Sequence, residues 1–194
     1  MFEPKFSITN KILKNIGIIE ACREVIDHAP LLPYYEKEFQ KNALVRAVHY
    51  GTHIEGNELN LDQAEKVMDG KEILARDRDV QEVLNYRKAM EYISQYQISN
   101  IKYQIGNEKK EYEITEELIK ELHKLTVERI LPEEKTGNFR QTQVVVKNSA
   151  TGEVSFRPPP STAIPHLTFE LMQFVNDREN NDIHPVLKSG VVHY

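Results

Sequence analysis

Helical hydrophobic periodicity over most of its length constrains the fold of this chain more than any other feature. Apolar residues recur every three or four positions, which favours helices that bury one face. Prolines and glycines interrupt the pattern at Pro30, Pro33, Gly56 and Gly70. We therefore predict a mainly α-helical fold.

The first two predicted helices lie on either side of residues 30–33. The first is capped by Thr9 or Asn10 and ends at the prolines, and the second spans about Tyr35–Glu55. Apolar residues at helical spacing are expected to face the core: Ile12, Leu13, Ile16, Ile19, Val25, Ile26, Phe39, Leu44, Val45 and Val48.

Turn-forming residues end the second helix and begin a third. Gly56 and Asn57 are the residue types that close helices in the left-handed conformation. Asn60 and Gln63 form a capping-box pattern for a short helix that ends at Gly70. A fourth helix is indicated by Val80, Val83, Leu84, Met90 and Ile93.

Two segments favour β-hairpins instead. Ile101–Ile114 alternates apolar and polar residues around a possible turn. Thr142–Lys147 is rich in β-branched residues and can pair with Val154–Phe156 across Asn148–Gly152, while the prolines at 158–160 end the second strand.

We place a subdomain boundary near Thr115, which is suited to cap a following helix. The chain then divides into a helical part, residues 1–114, and a second part, residues 115–194. The second part contains the later hairpin and a last helix that begins at His184-Pro185.

Charge and composition narrow the functional classes. A net charge of −5 argues against a general nucleic-acid binder and against polybasic membrane attachment. No apolar stretch has the roughly 18 residues that a membrane span needs, and Met1–Lys14 lacks the pattern of a signal peptide. Cys22 is the only cysteine, which excludes a disulfide framework. These features favour a cytoplasmic protein.

Four segments stand out in order along nearly the whole chain: Val48–Asn57; Asp79–Tyr86; Gly137–Arg140 with Val144–Val146 and Phe156–Pro160; and His184–Tyr194. Together they resemble the Fic (filamentation induced by cAMP) family. The first is similar to its inhibitory-helix motif, the second to the helix after it, the third to its β-hairpin flap, and the fourth to the helix before its active-site loop. The resemblance implies a helical Fic-like fold with a β-hairpin flap.

The resemblance also implies an activity: transfer of AMP from ATP, with Mg²⁺, to a Ser, Thr or Tyr hydroxyl of a protein. Family members carry a His-Pro-Phe-x-x-Gly-Asn-Gly-Arg loop for this chemistry. After His184-Pro185-Val186, the residues Leu187–Gly190 supply no glycine-rich anion nest. We therefore expect the chain to stop short of that loop, to contain no catalytic residue, and to be inactive by itself and bind neither ATP nor Mg²⁺.

Glu55 is the foremost candidate site residue. The resemblance implies that it pairs with the arginine of the active-site loop and so inhibits ATP binding, with Thr52, Gly56 and Asn57 in the same motif. Four residues before the glutamate, the family usually has Ser or Thr, whereas this chain has Gly51. Thr52 is displaced by one position, about 100° around the helix. The alternative is a solvated glutamate before a glycine cap.

The flap candidate comprises Thr142, Gln143, Val144, Val145 and Val146. An exposed strand edge can hold an extended target segment through main-chain hydrogen bonds, and the alternative is a hairpin that only protects the core. Arg140 is a candidate phosphate contact or, more plainly, a partner for a carboxylate. The seven histidines show no metal-ligand spacing.

Other functions stay open at this stage. The chain could be a non-catalytic regulatory or binding module, or a relative that uses another phosphate-containing donor. The partner would be a protein substrate with a hydroxyl side chain, and a homo-oligomer of the chain stays open. Neither a membrane nor a nucleic acid is expected as a partner.

Overall fold

The computed structural model describes residues 2–101, 113–177 and 183–193. The helices found there are α1 (Asn10–His28), α2 (Pro33–Ile54), α3 (Leu61–Met68), α4 (Asp77–Ile101), α5 (Glu116–Val127), α6 (Ile164–Asn176) and α7 (Pro185–His193). Two short strands, β1 (Val146–Lys147) and β2 (Val154–Phe156), form one antiparallel hairpin. The prediction of a mainly helical fold with a small hairpin is confirmed. The hairpin predicted within Ile101–Ile114 falls on residues 102–112, outside the described residues.

Local capping chemistry fixes the starts of several helices. The Thr9 hydroxyl accepts a hydrogen bond from the Ile12 amide at 3.2 Å, so Thr9 is the cap of α1. Asn60 and Gln63 form both bonds of the predicted capping box, at 2.9 and 3.0 Å. Pro33 was expected to end α1, but it is the first residue of α2. At that position the missing N–H of proline costs nothing, because the first helical amides have no intrahelical partner.

The hydrophobic core lies among α2, α3 and α4. Val48 of α2 and Val83 of α4 are completely buried, and Ala64 of α3 packs between these helices. The placement of Val45 and Val48 in the core is confirmed. Phe39 was predicted to be a core residue, but its side chain is 56% exposed because it lies on the first part of α2, ahead of the buried positions.

The predicted burial of α1 is wrong for the described part of the chain. None of its residues is buried, and Leu13, Ile19, Val25 and Ile26 are exposed. Periodicity shows that a helix has an apolar face, but it does not show that another element covers that face. The helix is linked to the rest of the chain by Glu20, whose Oε1 lies 3.1 Å from Nε2 of His184.

A buried amide joins α4 to the end of α5. Asn85 is fully buried, and its Nδ2 donates to the carbonyl oxygens of Thr126, at 3.2 Å, and Glu128, at 2.7 Å. Its Oδ1 accepts a bond from Nε2 of Gln81 at 2.8 Å. This side chain therefore ties the two parts that sequence analysis separated near Thr115.

The hairpin pairs Val146 with Phe156 and Lys147 with Val154, and Gly152 adopts φ +73° in the connecting turn. Its first strand is shorter than predicted, since Thr142 lies in a bend and residues 143–145 do not pair with the second strand. The prolines at 158–160 lie opposite this segment and have no N–H to donate across the pair. Within the described ranges, no helix has the length and apolar character to cross a bilayer.

Candidate functional site

The end of α2 presents Glu55 to solvent from a tightly hydrogen-bonded turn. The amide of Glu55 donates to the carbonyl of Thr52 at 3.0 Å, and the amide of Gly56 donates to that of His53 at 3.0 Å. Gly56 adopts φ +92°, the left-handed conformation predicted for it. The carboxylate of Glu55 is exposed and forms no hydrogen bond or ion pair with the rest of the described chain. It also lies at the negative end of the helix dipole, where a cation would stabilise it.

Asn57 anchors this turn to α4. Its Nδ2 donates to the main-chain oxygen of Asp79 at 2.9 Å and to Oε2 of Glu82 at 3.0 Å. Its Oδ1 accepts a bond from the amide of Leu59 at 3.1 Å. With only 2% of its surface exposed, Asn57 is a structural clasp that fixes the chain immediately after Glu55.

Two ion pairs support the partners of Asn57. The guanidinium of Arg76 donates to both carboxylate oxygens of Asp79, at 2.8 and 2.9 Å, and Asp79 is buried. This hydrogen bonding raises the pKa of Arg76 above its ordinary value. Nε of Arg78 donates to Glu82 at 2.8 Å. The start of α4 is thus a fixed base for the Glu55 turn.

Thr52 belongs to the core rather than to the exposed face around Glu55. Its side chain is buried, and its hydroxyl donates within α2 to the carbonyl of Val48 at 3.0 Å. The structure therefore does not bring this hydroxyl to the Glu55 carboxylate. The difference follows from the 100° step per residue, which turns Thr52 inward.

Gly51 occupies the position one helical turn before Glu55, and Tyr86 of α4 fills the space beside it. A Cβ added at Gly51 would lie 2.5 Å from the Tyr86 hydroxyl oxygen and 2.8 Å from its Cε2. Such separations are too short for real carbon atoms. A side chain at position 51 would therefore require the Tyr86 ring to shift.

The flap exposes apolar side chains before and along its strands: Val144 precedes β1, and it is exposed together with Val146, Val154 and Phe156. Side chains rather than a strand ladder shape its base. Nε2 of Gln143 donates to the carbonyls of Val144, at 3.0 Å, and Pro158, at 2.9 Å. The amides of Gln143, Val144 and Val145 have no main-chain partner in the described residues.

Arg140 has a different role from the one expected. Its guanidinium donates to the main-chain oxygens of Thr142, at 3.0 Å, and Pro159. A carboxylate partner was predicted, but Arg140 instead meets the main-chain oxygens of Thr142 and Pro159, which flank the two paired strands. Arg140 therefore clamps the base of the flap.

The described residues contain no group of three or more His, Cys, Asp or Glu side chains that could hold a metal ion. Arg140, the one candidate phosphate contact, is occupied by carbonyl oxygens.

Glu55 and the flap remain separate in the structure, since no hydrogen bond or ion pair links them across the described ranges. Sequence reasoning missed Tyr86 as the neighbour of Gly51, and Asp79 and Glu82 as the partners of Asn57. The spacing of Asp79 and Glu82, three positions apart at the start of α4, was the available signal for a polar partner. The same spacing fits acidic residues at a solvated helix end equally well.

Comparison with known proteins assigns this arrangement to a family. A family model described as Fic/DOC matches residues 113–194, which contain the flap and the helices around it. The matched part of the chain belongs to the Fic/DOC family. Within this Fic protein, the helical segment that carries Glu55 lies before the residues that the family model matches.

Among curated relatives, the chain is 29% identical over 161 residues to a protein adenylyltransferase Fic of Drosophila grimshawi. The match covers 80% of this Fic protein but only 29% of that relative. The chain thus spans less than a third of the length of the curated relative.

Two solved structures share the fold. One is a Fic family protein from Desulfovibrio desulfuricans G20, with a TM-score of 0.68 and 24% identity over all of this chain and 52% of that one. The other is a Fic domain containing signaling protein from Bacteroides thetaiotaomicron VPI-5482, with a TM-score of 0.71 and 22% identity over 91% of this chain and 62% of that one. Both similarities support the helical Fic fold with its flap.

Proposed function

We propose that this Fic protein is the N-terminal part of a protein adenylyltransferase, which transfers AMP from ATP to Ser, Thr or Tyr hydroxyls of a protein and is self-inhibited through Glu55. The proposal draws on family membership and on the similarity to a named adenylyltransferase. The catalytic loop would come from residues other than these 194.

The observation that carries the proposal is the state of Glu55. Its carboxylate is exposed and unpaired in the described chain, at a helix end where the dipole disfavours negative charge by about 0.3–1 kcal/mol. Asn57 nevertheless holds the adjoining turn rigidly against α4. The Glu55 carboxylate is fixed at the negative end of the helix dipole and is therefore suited to pair with a cation. If that cation is an arginine that binds ATP phosphates, the pairing would keep the arginine from the ATP.

The flap supplies the docking surface for the target. Gln143, Val144 and Val145 offer main-chain amides that are not used within the described chain. An extended target segment can pair with these groups largely irrespective of its sequence, while apolar neighbours such as Val144 and Phe156 contact its side chains.

Replacement of Glu55 tests the self-inhibition. In a protein that joins residues 1–194 to the family's catalytic loop, Glu55→Gly should raise AMP transfer to the target or to the protein itself. A charge-assisted pair contributes about 1.5–3 kcal/mol, so the expected gain is roughly 10- to 100-fold. The readout is incorporation of labelled AMP at equal, verified folding.

Glu58→Gln is the matched control, because it removes a nearby exposed carboxylate that lies 3.4 Å from Arg76 and outside α2. It should leave the transfer rate unchanged. Measurable but equal rates of AMP transfer for wild type and Glu55→Gly would reject self-inhibition by α2. If neither protein transferred AMP, the transferase assignment would be rejected instead.

Residues 1–194 by themselves are expected to transfer no AMP. They contain neither a glycine-rich anion nest nor the motif histidine. Incubation with labelled ATP and Mg²⁺ tests this, and strong self-labelling would show that some other group in the chain performs the chemistry.

A further inference from the structure

His123, an exposed residue of α5, contacts the chain at the point where it enters the flap. The main-chain amide of Gly137 donates to Nδ1 of His123 at 2.9 Å. Only an unprotonated ring nitrogen can accept this bond, so a neutral ring that makes it carries its proton on Nε2. The bond joins residues that are 14 positions apart in the sequence.

The main chain at Gly137 lies directly against α5. Gly137 adopts φ +65°, the left-handed conformation that favours glycine. A Cβ added there would be 3.2 Å from the main-chain oxygen of Lys120 and 3.5 Å from Cβ of Lys124. Glycine therefore permits both the turn and the close approach, and this approach brings the Gly137 amide to the His123 ring.

The residues after Gly137 continue the attachment to α5. Nζ of Lys120 lies 4.6 Å from the centre of the half-buried Phe139 ring, which is a cation–π contact. Arg140 follows at once and donates to the main-chain oxygens of Thr142 and Pro159. The base of the flap is therefore attached to α5 first and closed by Arg140 immediately afterwards.

The helix α5 is a fixed support because both of its ends are held. The Thr115 hydroxyl caps its first turn. The buried amide of Asn85 on α4 holds its last turn through the carbonyl oxygen of Thr126, one turn after His123. The loss of the exposed His123 side chain would therefore move the flap relative to the helices and leave the helices themselves in place.

We propose that His123 is a positioning residue for target docking. By accepting the Gly137 amide, it sets where the flap begins on α5 and so where a docked segment presents its hydroxyl. This inference rests on the docking role proposed above for the flap. A segment that pairs with the flap takes its register from the flap main chain, and an error of about 1 Å at the reacting group is enough to slow a transfer strongly.

NMR of residues 1–194 tests the contact itself. Long-range proton–nitrogen spectra should show the proton of the neutral His123 ring on Nε2. In His123→Ala, the Gly137 amide should exchange roughly threefold to tenfold faster, because it loses its acceptor. Alanine is a better helix former than histidine, so α5 should stay folded. His123→Asn should restore slow exchange, because the asparagine Oδ1 can take the place of Nδ1 as acceptor.

AMP transfer tests the docking role, in the protein that joins residues 1–194 to the family's catalytic loop and carries Glu55→Gly. Casein, an unfolded protein with many Ser and Thr hydroxyls, serves as the protein probe. The further change His123→Ala should lower kcat/KM for casein roughly tenfold or more, while the KM for ATP stays unchanged. A general loss of folding would move both values. His123→Asn should recover most of the transfer.

His166→Ala is the matched control, because His166 is an exposed histidine of the neighbouring helix α6. It should alter neither Gly137 exchange nor transfer. Equal Gly137 exchange in wild type and His123→Ala would overturn the proposal, and so would normal labelling of casein by His123→Ala. If every protein left both casein and itself unlabelled, the transferase assignment would fail and the docking role of His123 would fail with it.

Discussion

The ring of Tyr86 lies where a side chain at Gly51 would begin, so α2 and α4 approach each other through a glycine–tyrosine contact. An added Cβ would be 2.5 Å from the Tyr86 hydroxyl oxygen. Tyr86 thereby brings a phenol hydroxyl to the face of α2 that carries Glu55 one turn later. A serine or threonine could enter position 51 only if this ring moved away.

The Gly51–Tyr86 contact predicts strong coupling between the two positions. In a Tyr86→Ala background, Gly51→Ala should stabilise the protein by about 1 kcal/mol, because alanine is the better helix former. With Tyr86 present, the overlap should cancel or reverse this gain. Urea unfolding of the four proteins in this double-mutant cycle measures the coupling. An equal gain in both backgrounds would show that Tyr86 moves aside without cost.

Asn57→Asp should destabilise the protein by about 2 kcal/mol or more. The change replaces the Nδ2 donor with a carboxylate oxygen beside the Asp79 carbonyl and the Glu82 carboxylate, in a buried position. Asn60→Asp is the control, because Asn60 is an exposed cap and aspartate caps helices equally well. Denaturant unfolding should separate the two variants clearly, and similar losses would contradict the role of Asn57 as a clasp.

The ion pair of Lys88 with Glu128 should contribute to acid sensitivity. A hydrogen bond from Lys88 at 2.6 Å lowers the pKa of Glu128. Because the folded pKa is depressed, the stabilisation is present above the unfolded value of about 4.3 and is lost as the pH falls through the folded value. Lys88→Met should therefore raise the pKa of Glu128 in an NMR titration. An unchanged titration would mean that the pair does not persist in solution.

Arg140→Lys should loosen the base of the flap with little effect on global stability. Lysine cannot reproduce the planar fork that binds the carbonyls of Thr142 and Pro159 together. Amide hydrogen exchange in the paired residues of β1 and β2 should become faster. Arg157→Lys provides the comparison, because Arg157 is exposed and makes no side-chain hydrogen bond within the described chain. Equal amide exchange rates in the Arg140→Lys and Arg157→Lys variants would show that Arg140 does not clamp the base of the flap.

Local chemistry made part of this fold predictable. Caps such as Thr9 and the Asn60–Gln63 box depend on neighbouring residues, and the structure reproduces them. The left-handed Gly56 follows from the same short-range rules.

Contacts between distant residues were not predictable. Asn57 reaches Glu82 across 25 positions, and periodicity carries no information about such pairs. Sequence spacing likewise shows that α1 has an apolar face without showing what covers it. Thr52 turned inward because a single 100° step decides between the core and the surface, which is finer than a motif match can resolve.

The hydrogen bonds of Asn85 between α4 and the end of α5 limit how the two parts of the chain can be separated during evolution. Its amide is buried on α4, yet it satisfies carbonyl groups at the end of α5. A gene fusion that joined the first four helices to an unrelated partner would leave that amide without acceptors, at a cost of about 1–3 kcal/mol. Recombination near residue 115 is therefore penalised, and the segment that carries Glu55 and the segment that carries the flap are expected to pass together from one protein to its descendants.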